Sequence, residues 1–188
     1  MPNRTHLPIN RYVIKSVSIS VPVIYFPQKV FWRRKRTRET HAKLLSAHLK
    51  YAFRFSPDSH WGQLYPHAYQ RRHSLYIVFQ HFRTREPVSV YVFQGSQIAR
   101  FSSRLTLNYE WNFGASFGWK KFNEITNPYN DVIGSKINAY MNANIYLNWQ
   151  ITSRWALIAG IEATHYSNGN SNYPNAGVNT AGGRIGLV

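Results

Sequence analysis

A histidine and a serine stand two residues apart in Ile161-Glu-Ala-Thr-His-Tyr-Ser-Asn-Gly169, where an alternating segment runs into an Asn/Gly-rich stretch continuing to Tyr173-Pro-Asn-Ala-Gly-Val-Asn179. Side chains at i and i+2 of a strand leave the same face. His165 and Ser167 therefore share a face and can reach hydrogen-bond distance after modest adjustment. A serine hydroxyl is a poor nucleophile until a base takes its proton, and imidazole is the side chain whose unperturbed pKa suits that task near neutrality. The chemistry implied is nucleophilic ester hydrolysis. Asn168, Asn175 or backbone N–H groups of the loop are candidates to stabilise the oxyanion of a tetrahedral intermediate.

Taken singly, these residues are ordinary. A lone His at a strand end is most often just polar, Ser and Asn form turns, and Asn-Gly clusters cap hairpins. Only their combination points to a site. His48, His60, His67, His73 and His81 have no ligand-like spacing, so no metal site is assigned and no cofactor is implied. The absence of cysteine removes disulfides, thiol catalysis and Cys-based zinc sites together.

The elements that would position the pair are two-faced strands. From Ile137 to Ile151 every odd position is apolar, while the even ones are Asn138, Tyr140, Asn142, Asn144, Tyr146, Asn148 and Gln150. Thr152-Ser153 marks a tight turn. The next strand carries Trp155, Leu157, Ala159, Ile161, Ala163, His165 and Ser167 on one face, with Arg154, Glu162, Thr164 and Tyr166 on the other. Leu105 to Trp119 and Leu49 to Phe55 repeat the pattern. Strands are expected near 46–56, 68–80, 87–95, 97–109, 111–121, 136–150, 154–168 and 179–188.

Strands of a soluble sandwich also alternate, but they run about five or six residues, whereas a tilted membrane strand needs about nine to eleven. Asn- and Tyr-lined inner faces suit a polar barrel lumen. No apolar run approaches the roughly 18 residues of a transmembrane helix, and the 13 Tyr, 11 Phe and 6 Trp favour strands. The fold class expected is all-β: an antiparallel up-and-down transmembrane β-barrel of about eight strands. Such a barrel is filled by side chains and has no wide pore. His165 lies ten residues beyond Trp155, about 33 Å along the strand. A tilt near 40° makes that a height of about 25 Å, roughly the apolar band. Short turns normally face the periplasm, which puts His165 and Ser167 at the outer leaflet, facing lipid.

His165-x-Ser167-Asn168 followed by Pro174-Asn175 resembles the signature of the lipid A 3-O-deacylase (PagL-like, acyloxyacyl hydrolase) family, esterases built on small outer-membrane β-barrels. The resemblance extends less specifically through Asn108–Trp119 and Gly134–Tyr140, with further traces at Leu49–Asp58 and Leu64–Tyr69. It implies an outer-membrane enzyme of Gram-negative cells that removes an ester-linked acyl chain from lipid A. Asn175 would be the main oxyanion residue, with Asn168 and Gly177 in support. The partners implied are lipopolysaccharide and outer-membrane lipids, with no nucleic acid, in a monomer or homodimer. Lys120, Lys121 and Lys136 could meet lipid A phosphates. One departure concerns the third member of the triad: the family is expected to place a glutamate where this chain has Asn179. An amide can orient an imidazole but offers the imidazolium no negative charge. Glu162 has the wrong parity to replace it.

The N-terminal part differs. Residues 1–100 carry 17 of the 23 Lys/Arg and 3 of the 7 Asp/Glu, a net of +14, against +2 for residues 101–188. We expect 1–45 to be a basic segment, solvated or disordered, ahead of a barrel over 46–188. Residues 1–45 contain no signal sequence of the usual layout, and the chain ends at Leu187-Val188 without a terminal aromatic. Regions 1–45 and 71–86 lose the resemblance and the alternation together, and they read as out of frame or altered, which resequencing of the source DNA would test. Two other classes are carried: a non-enzymatic barrel of structural or adhesin type, and a basic nucleic-acid-binding β protein using the Arg33–Arg38 run.

Overall fold

The computed structural model describes residues 12–27, 46–54, 63, 69–70, 75–77, 87–130 and 132–188. They contain nine strand segments: β1 (Tyr12–Pro27), β2 (Ser46–Arg54), β3 (Tyr69–Gln70), β4 (Leu75–Ile77), β5 (Val88–Arg100), β6 (Leu105–Phe117), β7 (Ile137–Gln150), β8 (Ala156–Ser167) and β9 (Val178–Leu187). The sheet is antiparallel in the order β3-β2-β1-β9-β8-β7-β6-β5-β4, and β3 also pairs with β5. The architecture is thus an all-β antiparallel sheet of barrel type. Among the described residues no helix is long and apolar enough to cross a membrane.

Two expected boundaries change. In place of three strands over 87–95, 97–109 and 111–121, the chain forms the two long strands β5 and β6. The turn-like pair Gly95-Ser96 lies inside β5, opposite Glu110 and Tyr109. The chain reverses instead at Phe101-Ser-Ser-Arg104, where Ser102 Oγ accepts the N–H groups of Arg104 and Leu105, a serine turn that needs neither Gly nor Pro. The second change is β1. No strand was expected before residue 46, yet Tyr12–Pro27 lies between β2 and β9, with its register shift falling at Pro22. Proline lacks the N–H a ladder needs, so an irregularity is where a strand accommodates it. The expected strand at 68–80 is present as β3 and β4, both along β5. The Arg33–Arg38 run lies outside the described residues.

The two faces are inverted relative to a water-soluble β protein. On β7, Asn138, Asn142 and Asn144 are buried, while Ile137, Met141, Ile145, Leu147 and Trp149 are exposed. Asn144 is 4% accessible and its neighbour Ile145 48%. β6 repeats this, burying Asn108, Glu110 and Asn112 and exposing Trp111 and Phe113.

Buried polar groups are generally paired, and inside this sheet many of them join in a network. Asn142 Oδ1 accepts from Asn112 Nδ2 (2.5 Å) and Asn144 Nδ2 (2.8 Å), and Asn142 Nδ2 donates to Thr164 Oγ1 (2.8 Å). Arg184 Nη1 donates to Asn144 Oδ1 (2.9 Å) and to Glu110 Oε1 (3.2 Å), and the same carboxylate binds Lys50 Nζ. His48 Nε2 lies 3.9 Å from Glu162. Lys50 on β2 and Glu110 on β6 are not ladder neighbours, so the sheet curls far enough for them to meet across its interior. Towards the end bearing His165 the interior is aromatic: Tyr91, Tyr140, Tyr166 and Trp119 stack with successive centroids 5.2, 5.3 and 5.0 Å apart.

Removing one partner of a buried ion pair strands the others in a poorly solvating interior. Glu110→Ala, which leaves Lys50 and Arg184 without their carboxylate, is expected to destabilise the fold by about 3–5 kcal/mol. Urea unfolding in detergent micelles, followed by Trp fluorescence, measures this. A loss below about 1 kcal/mol would show that the trio does not carry the interior.

Candidate active site

His165 and Ser167 end strand β8 on its outward face, with Tyr166 buried between them in the aromatic stack. Two ladders fix what stands beside them. His165 is opposite Met141 on β7 and Asn179 on β9, and Ser167 is opposite Ala139.

Cross-strand pairing brings the imidazole to the Asn179 amide, with Nδ1 2.6 Å from Oδ1. An amide oxygen only accepts, so with Oδ1 facing the ring Nδ1 is the donor, and in the neutral imidazole Nε2 then keeps its lone pair. That is the tautomer a base acting through Nε2 needs. Asn179 thus meets Nδ1 as an amide and not a carboxylate.

Ser167 is held differently. Asn175 Oδ1 accepts the N–H of Asn168 (3.3 Å), which fixes the orientation of the amide, and it also accepts the Ser167 hydroxyl (3.3 Å). Ser167 Oγ in turn accepts from Gly169 N–H (3.1 Å). The structure therefore brings together His165 with Asn179 and Ser167 with Asn175, but the serine hydroxyl is given to Asn175 and not to the imidazole. Asn175 Nδ2 has no acceptor among the described residues and can donate to an oxyanion. Asn168 Nδ2 donates one of its two N–H bonds to Asn172 O (2.7 Å) and Oδ1 accepts from Asn170 N–H (2.9 Å), which leaves its side chain one further donor. Gly169 and Asn170 are both left-handed (φ 63° and 66°), and Ser171 N–H closes the turn on Asn168 O. Gly177, at φ 69°, turns the chain into β9. Among the described residues no cluster of His, Cys, Asp or Glu could hold a metal.

An apolar groove of about 560 Å³ leads away from His165 and Asn179 over Phe113, Met141, Trp111 and Ala143. It continues into a second of about 600 Å³ past Ile145, Ile161 and Gly183. Both share Ala143, Ala163 and Ala181, which lie side by side on β7, β8 and β9. These alanines were not singled out from the sequence.

His165 and Ser167 thus share the outward face of a barrel-type antiparallel sheet. Residues 45–188 match the family model described as lipid A 3-O-deacylase (PagL), and the chain belongs to that family. No curated protein matches. Among solved structures the chain is similar to Neisserial surface protein A (TM-score 0.56, 10% identity, covering 93% of this chain and 94% of that one), a likeness of fold. It is also similar to the outer membrane enzyme PagL (TM-score 0.44, 12% identity, covering 92% and 98%).

Asn179 sets the tautomer of His165, and that is measurable without any substrate. With ¹⁵N-histidine, at a pH where the ring is neutral, His165 is expected to show a protonated Nδ1 and a bare Nε2, with the two forms mixing in Asn179→Leu. A protonated Nε2 in the parent would mean that the amide presents its nitrogen, leaving no base at Nε2.

Proposed function

We propose that this protein is an outer-membrane esterase that removes an ester-linked acyl chain from lipid A, crossing the membrane as an eight-stranded up-and-down β-barrel. Several features support the barrel. Counting β3 and β4 as one interrupted strand gives eight strands, each paired with the next in the chain and the last with the first. β5 to β8 have 12–14 residues, enough to cross a bilayer with tilt. Their apolar side chains point outward and their polar ones inward. The turns at 101–104 and 151–155, with exposed Trp149 and Trp155 beside the second, lie at the end away from His165.

One observation carries the enzymatic reading: an imidazole oriented by Asn179 stands beside Ser167 on the apolar outer face, in a member of the lipid A 3-O-deacylase family. A substrate reaching this site must itself be a lipid. The reaction requires the Ser167 hydroxyl to leave Asn175 and turn to Nε2. Nε2 takes the proton as Oγ attacks the acyl carbonyl, and Asn175 Nδ2 donates to the oxyanion. Nε2–H then gives its proton to the sugar oxygen as the C–O bond breaks, so the sugar leaves as an alcohol and an acyl-serine remains. Water, deprotonated by the same nitrogen, releases the fatty acid and restores the serine. The exposed Lys120, Lys121 and Lys136 lie in the β6–β7 connection beside the site and suit lipid A phosphates.

A second reading, a barrel without a reaction, is favoured by the amide at position 179 and by the engagement of the Ser167 hydroxyl with Asn175. Mass spectrometry of lipid A decides between them, using a Gram-negative host expressing the chain behind a working export signal. Loss of one acyl mass with the parent, and not with His165→Ala or Ser167→Ala, is the expected result. Unchanged lipid A, with the protein folded in the outer membrane, would establish the second reading.

The groove supplies a further expectation. It runs from the His165 row to the Ile161 row, about 13 Å at 3.3 Å per residue, and Ala163 is its midpoint. Ala163→Phe should slow hydrolysis of a long-chain ester about tenfold or more while leaving a short-chain ester nearly unaffected. Initial rates on a series of p-nitrophenyl esters check this, and equal slowing at all lengths would remove the groove from substrate binding.

A further inference from the structure

The β6–β7 connection carries two residues, Asn130 and Gly134, that touch neither His165 nor Ser167 but belong to the segment that pairs with Asn175. Asn130 is buried, and its side chain makes four hydrogen bonds to backbone. Nδ2 donates to Lys120 O (2.8 Å) and Ile133 O (3.3 Å), while Oδ1 accepts from Val132 N–H (3.1 Å) and Ile133 N–H (3.2 Å). Phe122 N–H adds a bond to Ile133 O (2.8 Å). The segment so folded drives Ile133, 1% accessible, into the cluster containing Trp119, Tyr166 and Val178.

Its other edge meets the site. Ile133 forms an antiparallel bridge with Asn175, and Ala176 N–H donates to Val132 O (3.1 Å). At Gly134 the two backbones are so close that a Cβ would lie 2.7 Å from Pro174 O and from Tyr173 O. Real Cβ atoms do not approach that closely, so with a larger residue at 134 one of the two backbones must shift, and the pairing of this segment with Tyr173–Asn175 is disturbed. A chain of contacts thus runs from the Asn130 amide through the Val132–Gly134 backbone to Asn175, and from its Oδ1 to Ser167.

We infer that Asn130 and Gly134 are positioning residues for the Ser167 centre, acting through Asn175; the inference rests on the esterase reading above. The sequence offered no sign of this, since an Asn and a Gly in a loop are ordinary turn formers. Displacing a reacting group by about an ångström can cost about 100-fold in rate, so small movements of Asn175 matter even when the fold survives.

Asn130→Asp is the gentlest probe. It keeps the acceptors for Val132 and Ile133 N–H and loses both donors. We expect kcat on a p-nitrophenyl acyl ester to fall about tenfold with KM within twofold, and the same for Gly134→Ala, whereas Asn175→Ala falls about 100-fold. The decisive comparison is the double variant. If Asn130 acts through Asn175, Asn130→Asp/Asn175→Ala is no slower than Asn175→Ala alone; a merely structural role would multiply the losses. Multiplied losses, or parental rates in both single variants, would overturn the inference. A parent that hydrolyses nothing would instead overturn the esterase reading. The positioning role then rests on the ¹⁵N resonance of the Asn175 side-chain amide, which should shift in Asn130→Asp and Gly134→Ala while that of Asn144 stays in place; an unmoved Asn175 signal would overturn it.

Discussion

Everything in this molecule depends on the two-residue period of its strands being held in one register. A slip of a single residue would exchange the faces of a strand, turning asparagines and charges outward and tryptophans inward. The interior prevents such a slip, because Lys50, Glu110, Arg184 and Asn144 meet only if β2, β6, β7 and β9 keep their offsets. The same offsets place Asn179 opposite His165. The orientation of the imidazole is therefore a consequence of the sheet register, and the sheet register is enforced by charges on the far side of the backbone.

The interior and the site are two uses of one strand. On β8, Glu162, Thr164 and Tyr166 face inward, to a salt contact, a hydrogen bond and an aromatic stack, while Ala163, His165 and Ser167 face outward. Thr164 and Tyr166 flank His165 along the chain, so packing that fixes them also fixes the backbone from which the imidazole projects. Tyr166 does the same for Ser167. Rigid support from inside holds the backbone of half-exposed side chains on the outer face.

Much of this was legible in the chain. The Ile137–Ile151 alternation yields β7 almost to the residue, and the parity of His165 and Ser167 yields their shared outward face. What escaped had physical reasons. Ser16 to Val23 alternates polar or Pro with apolar as cleanly as β7, but its Pro22 and the basic run after it suggested a failed export signal, and the strand β1 was missed. The turn at 101–104 was missed because a serine hydroxyl supplied the acceptor that Gly or Asn more often signals. The expected pairing of Ser167 with His165 was a two-residue argument, and it lost to a third party: Asn175, carried in by a loop eight residues on, competes for the same hydroxyl. The Asn130–Gly134 brace joins residues some forty positions from the motif, beyond any local pattern.

The amide at position 179 shows which of two jobs an orienting group does here. A carboxylate fixes the imidazole tautomer and also attracts the imidazolium that forms in the reaction. Asn179 Oδ1 does the first as well as a carboxylate would, since Nδ1–H needs only an acceptor. It leaves the second to other groups. On an outer face lined by Met141, Phe113 and Ala163, a permanent charge at 179 would itself need solvation that apolar neighbours do not supply. A neutral acceptor avoids that penalty in the resting state, but the imidazolium must then be balanced by the oxyanion forming beside it. In the reaction we propose, the proximity of Asn175 to Ser167 consequently weighs more heavily than it would beside a carboxylate, and so does the brace that pairs with Asn175.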